Sequence, residues 1–259
     1  MRRETRVAVE AAKKAGARQR ECFERPMDVE TKSGRELVTE IDRDSERTIL
    51  AAIEEAFPGD PVIAEESAPG GARESGQAGR VWIVDPLDGT NNYAHGYPFF
   101  SIAIAVEEEG RPTAAVVYDP LRDELFSAER GGGAFKNGDR IVVSKTRTLS
   151  ESLVTTGFPY GRTDESENNL ANLSRFILTA RGVRRGGSAE LDLVYVACGR
   201  LDGFWELGLK TWDVAAGGLV VGEAGGRVTN FGGDGWDHRR GDIVASNGLI
   251  HDEMMEIIE

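Results

Sequence analysis

The chain has 259 residues, of which 40% are hydrophobic and 29% charged, and its 44 acidic side chains outnumber the 31 basic ones to give a net charge of −13. This composition excludes a disordered or fibrous protein and predicts a folded globular enzyme. The acidic excess argues against a nucleic-acid partner, and the lack of an apolar run near the roughly 20 residues that cross a bilayer argues against a membrane partner and favours a cytoplasmic location.

Two amphipathic helices are predicted at the start of the chain. Apolar residues recur at helical spacing over residues 3–23 and again over 41–57, where Pro58 and Gly59 follow. The residues between them, 30–39, predict a turn or hairpin. Cys22 and Cys198 fall in predicted helices without metal-ligand spacing, so we expect two unpaired thiols.

Short apolar runs of strand length follow the second helix. They cover residues 62–64, 81–84, 101–106, 114–118 and 124–128. Their alternation and the turns between them predict a largely antiparallel meander. Residues 136–139, Lys-Asn-Gly-Asp, predict a hairpin. The glycines at 131–133 predict a turn rather than a phosphate loop, because no helix start follows them.

The second half of the chain mixes strands and helices. Strands are predicted at 152–156, 201–206 and 242–245, and helices at 168–180, 189–198 and 213–224. This order indicates an α+β fold with helices packed on sheets. We expect a single domain over residues 1–259, with an N-terminal half to about residue 147 that holds a large antiparallel sheet and a C-terminal half over about 148–259.

The most informative segment follows a predicted apolar strand. Asp85 ends that strand, Asp88 comes three residues later, and Gly89 permits a tight bend into a helix whose first turn contains Thr90. Mg²⁺ prefers oxygen ligands in octahedral array, so Asp85, Asp88 and the carbonyl of Leu87 suit it. A helix N-terminus directly behind them would also favour a phosphate oxygen.

Two further acidic positions strengthen this interpretation. Alone, an Asp-x-x-Asp pair more often caps a turn and a helix. Here Glu65 and Glu66 follow another short apolar strand, and Asp213 opens a predicted helix. Acidic groups at three separate element ends are what a metal site at the edge of a sheet requires. The sequence therefore predicts a metal centre.

These segments resemble the inositol monophosphatase family. Residues 85–93, DPLDGTNNY, resemble its first signature, and residues 212–218 with 223–226 resemble its second. Residues 64–67 resemble its metal-ligand segment, and the correspondence runs from about residue 32 to residue 247. The resemblance implies an α+β layered αβαβα sandwich and a Mg²⁺-dependent phosphatase that hydrolyses myo-inositol monophosphate, often as a homodimer and commonly inhibited by lithium.

The resemblance also implies how the metal ions are held. Glu65, Asp85 and the carbonyl of Leu87 would hold one Mg²⁺, and Asp85, Asp88 and Asp213 would hold a second. Glu65 would also contact a third, weaker ion and belong to the catalytic residues. Two ions roughly 3.5–4 Å apart stabilise the attacking and leaving oxygens and lower the pKa of a bound water, so no covalent enzyme intermediate is required.

Catalytic and substrate-binding roles follow from the same resemblance. Thr90 matches a threonine that orients the attacking water, and Asp42 matches its acidic partner, with capping of the second helix as the alternative role of Asp42. The implied substrate contacts are Gly89 and Thr90 at the phosphate, Gly187, Ser188, Ala189 and Glu206 at the polyol, and Asp88 and Asp213 at the ring oxygens.

A few positions depart from the family pattern. Ala64 stands where glycine is frequent, Asn91 where threonine is common, and Glu190 where a small residue is usual. None of these removes a metal ligand, but Glu190 leaves the polarity of the substrate pocket open. Lys32 resembles a loop lysine near the metals and is equally explained as an exposed lysine.

Two alternative functions stay open. The metal ligands do not select the substrate, and the residues after Thr90 favour an inositol phosphate over a nucleotide. Arg184 and Arg185, beside the substrate loop, are able to hold a second phosphate, which keeps fructose 1,6-bisphosphatase or dual-specificity sugar phosphatase activity as the first alternative. A regulatory protein that binds the transcription machinery is the alternative from another class.

Overall fold

A computed structural model describes residues 1–25, 28–33, 36–67, 79–161, 163 and 168–258. In these ranges the helices are α1 (Arg3–Cys22), α2 (Glu40–Ala56), α3 (Thr90–Ala94), α4 (Leu170–Thr179), α5 (Ala189–Ala197), α6 (Ala215–Glu223) and α7 (His251–Met255). The strands are β1 (Val29–Ser33), β2 (Glu36–Thr39), β3 (Val62–Ala64), β4 (Arg80–Asp88), β5 (Ser101–Glu108), β6 (Arg111–Asp119), β7 (Glu124–Glu129), β8 (Gly133–Lys136), β9 (Asp139–Ile141), β10 (Leu153–Thr156), β11 (Gly182–Arg184), β12 (Gly203–Leu207), β13 (Arg227–Thr229) and β14 (Asp242–Ser246). Short 3₁₀ turns cover Leu149–Glu151 and Thr211–Asp213.

The strands form a large and a smaller sheet beside one hairpin. Strands β3 to β9 form a seven-stranded sheet in chain order, antiparallel except that β3 and β4 run parallel. The five-stranded sheet has the order β11-β10-β12-β14-β13 and mixes both directions. β1 and β2 form the hairpin, whose tip at residues 34–35 lies outside the described residues.

Three apolar clusters arrange these elements in layers. Helices α1 and α2 pack on one face of the large sheet, where small side chains such as Ala12 and Ala15 let α1 approach the strands closely. Helices α5 and α6 fill the space between the two sheets, and α4 and α7 cover the far face of the small sheet through Phe176 and Met254. The order helix, sheet, helix, sheet, helix confirms the predicted α+β layered sandwich.

Two predicted boundaries at the carboxylates are wrong. β4 does not end at Asp85 but continues to Asp88, and Asp85 pairs with Ala103 while Asp88 pairs with Ser101. Between these two pairs β4 advances by three residues and β5 by two, so β4 contains one extra residue, which is a β-bulge. The helix predicted from Asp213 begins at Ala215, and Asp213 instead ends the 3₁₀ turn.

The antiparallel meander is confirmed, and so is the hairpin at residues 136–139. In that hairpin Asn137 and Gly138 both have positive φ, as a type I′ turn needs. Residues 131–133 form a turn, and the amides of Gly131 and Gly133 donate to Glu223 on α6. No helix in the described part of the chain is long and apolar enough to cross a bilayer.

Candidate active site

Asp85 and Asp88 lie on β4, on either side of the bulge. Both side chains are buried, and the Leu87 amide donates to Asp85 Oδ1 at 3.0 Å. The Pro86 carbonyl is held from behind by Gln19 Nε2 on α1, at 2.7 Å. A bulge re-aims side chains that a regular strand would place on opposite faces, so it brings these two carboxylates together.

Gly89 makes the turn from β4 into α3. Its φ is +102°, a conformation that residues with a Cβ rarely adopt. A Cβ here would also lie 3.1 Å from the Phe99 carbonyl oxygen and 3.3 Å from that of Gly187. The backbone of Gly89 therefore faces the loop at residues 186–188, where the sequence predicts substrate contacts.

Thr90 and Asp42 are hydrogen-bonded, as the resemblance implies. Thr90 Oγ1 lies 2.7 Å from Asp42 Oδ1 and 3.1 Å from the Leu87 carbonyl oxygen. The other oxygen of Asp42 accepts from the amide and hydroxyl of Thr39, in a capping box at the start of α2. Asp42 thus caps α2 and also accepts from the Thr90 hydroxyl, and burial raises its pKa although these hydrogen bonds lower it.

Glu65 follows β3, whose parallel pairing with β4 places it beside the bulge. Its amide donates to the Val84 carbonyl at 3.2 Å. The ammonium of Lys32, on β1, lies 3.0 Å from Glu65 Oε1 and also pairs with Glu66. Burial by itself lowers the pKa of Lys32, but the two glutamates raise it above its usual range. Lys32 is therefore an ion-pair partner within the acidic cluster and not an exposed lysine.

The N-terminus of α5 holds Asp88. The carboxylate accepts from Ser188 Oγ at 2.5 Å, from the amides of Ala189 and Glu190 at 3.1 and 2.9 Å, and from Ser101 Oγ at 3.2 Å. Free amides at a helix start favour a negative charge. Ser188 and Ala189, two of the residues predicted beside a polyol, are thus in direct contact with a predicted metal ligand.

Asp213 lies where the 3₁₀ turn meets α6. Its Oδ2 accepts from the Lys210 amide at 2.6 Å. The α6 amides behind it are occupied by Glu190, which accepts from Ala216 at 3.2 Å and from Gly217 at 2.5 Å. The carboxylate of Glu190 is fully buried and caps α6, which answers the question that this departure from the family pattern raised.

Glu206, on β12, faces the same cluster from the small sheet. Its side chain is nearly buried, and a Cβ at Gly157 would overlap its carboxylate. Burial raises the pKa of Glu206 to about 8, although the charge of Arg185 lowers it. A Cβ at Gly187 would overlap the Arg185 guanidinium. Arg185 therefore lies over the predicted substrate loop and within electrostatic reach of Glu206.

Burial raises the pKa of all four predicted carboxylate ligands, and repulsion from neighbouring carboxylates adds to it at Glu65, Asp85 and Asp213. Burial is the largest cause in each case, and it brings the pKa of Glu65 to about 8 and that of Asp213 to about 7. Burial raises the pKa of Asp85 well above its usual range, and the negative charges of Glu65, Asp88 and Asp213 raise it further. The pKa of Asp88 is raised despite its hydrogen bonds. The side chains respond to one another's charge, so they belong to one cluster.

The donor chemistry of this cluster fits a hard divalent cation. Carboxylates that repel one another, with a backbone carbonyl beside them, are the oxygen ligands that Mg²⁺ accepts. Within the described residues, however, no group of three His, Cys, Asp or Glu side chains is arranged so that it could bind a metal ion without moving. Glu65 is engaged by Lys32, Asp88 by α5 and Asp213 by the Lys210 amide, so a cation would compete with donors of the chain itself.

The sequence assigned no role to Asn92. Its Nδ2 lies 2.6 Å from the Phe99 carbonyl and 3.0 Å from the Gly186 carbonyl. Asn92, on α3, therefore links the segment that follows α3 to the loop before α5, and these two segments come from opposite halves of the chain. Its place in the DPLDGTNNY segment was the signal that pointed to a role, but nothing in the sequence shows which carbonyls it reaches.

Comparison with known proteins gives consistent matches over the whole chain. Nus factor SuhB of Pasteurella multocida is 43% identical over 255 residues, covering 98% of this chain and 94% of that protein. Inositol-1-monophosphatase of Synechocystis is 42% identical over 259 residues, covering 97% and 87%. The crystal structure of extragenic suppressor protein suhB from Bartonella henselae superposes with a TM-score of 0.91 at 39% identity, covering 98% and 97%.

A more distant solved structure is that of an IMPase/NADP phosphatase complexed with Mg²⁺ and phosphate. It is 25% identical to this chain, has a TM-score of 0.78, and covers 89% of this chain and 85% of its own. A sequence profile of the inositol monophosphatase family matches residues 1–259. With that match and relatives above 40% identity, this chain belongs to the inositol monophosphatase family.

Proposed function

We propose that this chain is a Mg²⁺-dependent phosphomonoesterase that hydrolyses myo-inositol monophosphate to inositol and phosphate. The observation that carries the proposal is the convergence of four carboxylates from both halves of the chain onto one cluster, with Asp85 and Asp88 buried and Glu65 and Asp213 partly buried. Family membership supports the phosphatase chemistry, and the Mg²⁺ and phosphate in the distant relative support the choice of cation.

In this proposal Glu65, Asp85 and the Leu87 carbonyl bind one Mg²⁺, and Asp85, Asp88 and Asp213 bind another. When bound, the ions supply Lewis-acid stabilisation of the phosphoryl oxygens and lower the pKa of the attacking water. The carboxylates must be ionised to bind, and their raised pKa values make proton release part of metal binding.

Thr90 orients the attacking water in this proposal. Its hydroxyl has one proton, and Asp42, 2.7 Å away, is placed to accept it. The hydroxyl oxygen of Thr90 then remains free to accept a hydrogen bond from the water. The water would therefore be held with a lone pair towards the phosphorus, and positioning of this kind is a main component of phosphoryl-transfer catalysis.

The substrate contacts follow the same arrangement. The backbone of Gly89 and Thr90 is proposed to bind the phosphate, and Glu206 with the loop at residues 187–189 to bind the polyol hydroxyls. Arg185 is exposed, and its charge acts on the nearby carboxylates Glu206 and Asp192. Fructose 1,6-bisphosphate therefore stays the alternative substrate.

A panel assay tests the proposal. Purified protein with Mg²⁺ is expected to release phosphate from inositol 1-phosphate faster than from fructose 1,6-bisphosphate, and Asp85→Asn is expected to abolish the release. The control, Asp139→Asn, makes the same change in net charge on an exposed strand and should retain activity. Absence of phosphate release from every compound would overturn the proposal.

The names of the SuhB relatives motivate a second candidate, a role in transcription. A protein acting there by contact alone would not need the carboxylate cluster. Complementation of a strain lacking its own SuhB by wild type and by Asp85→Asn distinguishes the two. Rescue by both proteins favours a contact role, and rescue by wild type alone favours catalysis.

A further inference from the structure

A buried histidine lies behind Asp213 and has no part in the proposed reaction. His238, in the loop between β13 and β14, is 3% exposed. Its Nδ1 is hydrogen-bonded to Thr211 Oγ1 at 2.5 Å, and its Nε2 lies 3.0 Å from Glu107 Oε2, an ion-pair distance without the angles of a hydrogen bond. A carboxylate only accepts, so in the neutral ring Nε2 carries the proton and Nδ1 accepts from the Thr211 hydroxyl.

Glu107 anchors this arrangement in the large sheet. It lies on β5 opposite Val81 of β4, the strand that carries Asp85 and Asp88. Its side chain is buried and also accepts from the guanidinium of Arg239, at 2.5 Å. Both partners of Glu107 thus come from the same loop, and they fix that loop to the strand layer.

Thr211 connects the histidine to the metal ligand. It is the first residue of the 3₁₀ turn that ends at Asp213, and this turn packs against β4 and β5. Asp213 is held by the amide of Lys210, the residue before Thr211. The direction of the Asp213 carboxylate therefore depends on where the turn is held, and His238 is the side chain that ties it to the sheet.

The same loop also braces α6. The ring of Trp236 lies against Gly218, where a Cβ would overlap it. Loop residues 236–239 thus contact α6, the 3₁₀ turn and β5 together. The loop therefore joins the turn that carries Asp213 to α6 and to the large sheet.

We propose that His238 is a positioning residue for the metal centre, which ties Thr211 to Glu107 and so fixes Asp213 relative to Asp85 and Asp88. The inference rests on the proposed function, because it presupposes that Asp213 binds a metal. Outer-shell hydrogen bonds of metal sites commonly contribute this kind of orientation.

Calorimetric titration of the full-length protein with Mg²⁺ or Mn²⁺ tests the inference without measuring activity. His238→Ala and Thr211→Val are each expected to weaken metal binding by about tenfold, the lower end of outer-shell effects. Thr211→Ser keeps the hydroxyl and should bind like wild type. His251→Ala is the matched control, since it removes another buried histidine, from the α7 layer, and should leave metal affinity unchanged.

The outcomes separate the two proposals. Weaker binding in His238→Ala and Thr211→Val, with rescue by Thr211→Ser, supports the positioning role even if no panel compound releases phosphate. Wild-type affinity in Thr211→Val overturns it, and this variant remains informative if His238→Ala does not fold. Equal weakening in His238→Ala and His251→Ala also overturns it, because the effect would then be general destabilisation.

Discussion

Thr90 illustrates how one hydroxyl at the candidate site has a defined direction. It lies between Asp42, which accepts, and the Leu87 carbonyl at 3.1 Å. Asp42 cannot turn away, because its second oxygen is held by the backbone and side chain of Thr39. The start of α2 therefore fixes the hydroxyl that is proposed to orient the water.

Replacement of Thr90 tests this role. Thr90→Val keeps the shape but removes the hydroxyl, so we expect kcat to fall by about 100-fold, as for misplacement of a reacting group. Mg²⁺ affinity should change little, and Thr90→Ser should keep much of the activity. Steady-state phosphate release at saturating Mg²⁺ measures the effect. Near wild-type kcat in Thr90→Val would remove Thr90 from the mechanism.

His251 is expected to contribute to the loss of stability in acid. It is fully buried, with Nε2 3.0 Å from Thr229 Oγ1 and Nδ1 2.9 Å from Ser246 Oγ. Burial, with a smaller contribution from Arg227, lowers its pKa from 6.5 to about 4. The unfolded chain therefore binds a proton first as the pH falls, and the free energy of unfolding decreases between these two values.

We expect His251 to account for a loss on the order of 3 kcal/mol between neutral pH and pH 4. Urea unfolding across this range measures the decrease. His251→Gln, which cannot take up a proton, should be less stable at neutral pH and show a shallower decrease in acid. An equal slope in both proteins would assign the acid sensitivity to other groups.

At the scale of elements, the sequence predicts the long regular helices and strands and misses several of the short ones. The periodicity of α1 and α2 and the alternation of β5 to β7 extend over enough residues to fix their type. Strands β11 and β13 have three residues each and α7 has five. Such segments are too short to show a period, and only their pairing with neighbouring strands or the packing beneath them defines them.

The candidate site shows the same division. The DPLDGTNNY segment predicts that Asp85 and Asp88 act together, but not that β4 continues between them through a bulge, because bulges arise from pairing with β5. The capping of α6 by Glu190 and the link from His238 to Thr211 join residues far apart in the chain. No local pattern in a single sequence records such contacts.

Two glycines one turn apart on α6 provide a test of element packing. A Cβ at Gly218 would overlap the Trp236 ring, whereas one at Gly222 would meet nothing within 4 Å. We expect Gly218→Ala to lower stability by about 1–3 kcal/mol, as overpacking does. Gly222→Ala, on the exposed face, should be neutral or raise stability by up to about 1 kcal/mol. Chemical denaturation measures both, and equal effects would contradict the close packing of Trp236 on Gly218.

At the scale of the whole molecule, the acidic cluster lies at the junction of the two sheet layers. The large sheet contributes Asp85 and Asp88, and the segment joining the small sheet to α6 contributes Asp213. The folded pKa values of Glu65 and Asp213, about 8 and about 7, exceed their unfolded values. Without a cation, these groups stabilise the fold at low pH, and that contribution is lost as the pH rises through the folded values.

We therefore expect the rise in Tm on adding Mg²⁺ to be larger at about pH 8 than at about pH 5, because metal binding replaces protons that are already leaving at the higher pH. Thermal unfolding with Mg²⁺ and with a chelator measures the difference. Asp85→Asn should reduce the Mg²⁺ effect, and Asp139→Asn should not. A Mg²⁺ effect that is equal at both pH values, or larger in acid, would contradict the assignment of the cluster as the metal site.

The order of the layers along the chain also has a consequence for biosynthesis. The first three carboxylates and their hairpin lysine leave the ribosome with the large sheet, whereas Asp213 is made much later, with α5, α6 and the small sheet still to be placed. Lys32 precedes Glu65 in the chain and lies 3.0 Å from its Oε1 in the fold. The counter-ion of Glu65 is therefore synthesised before Glu65 itself, so neutralising this carboxylate requires no residue that is made after it.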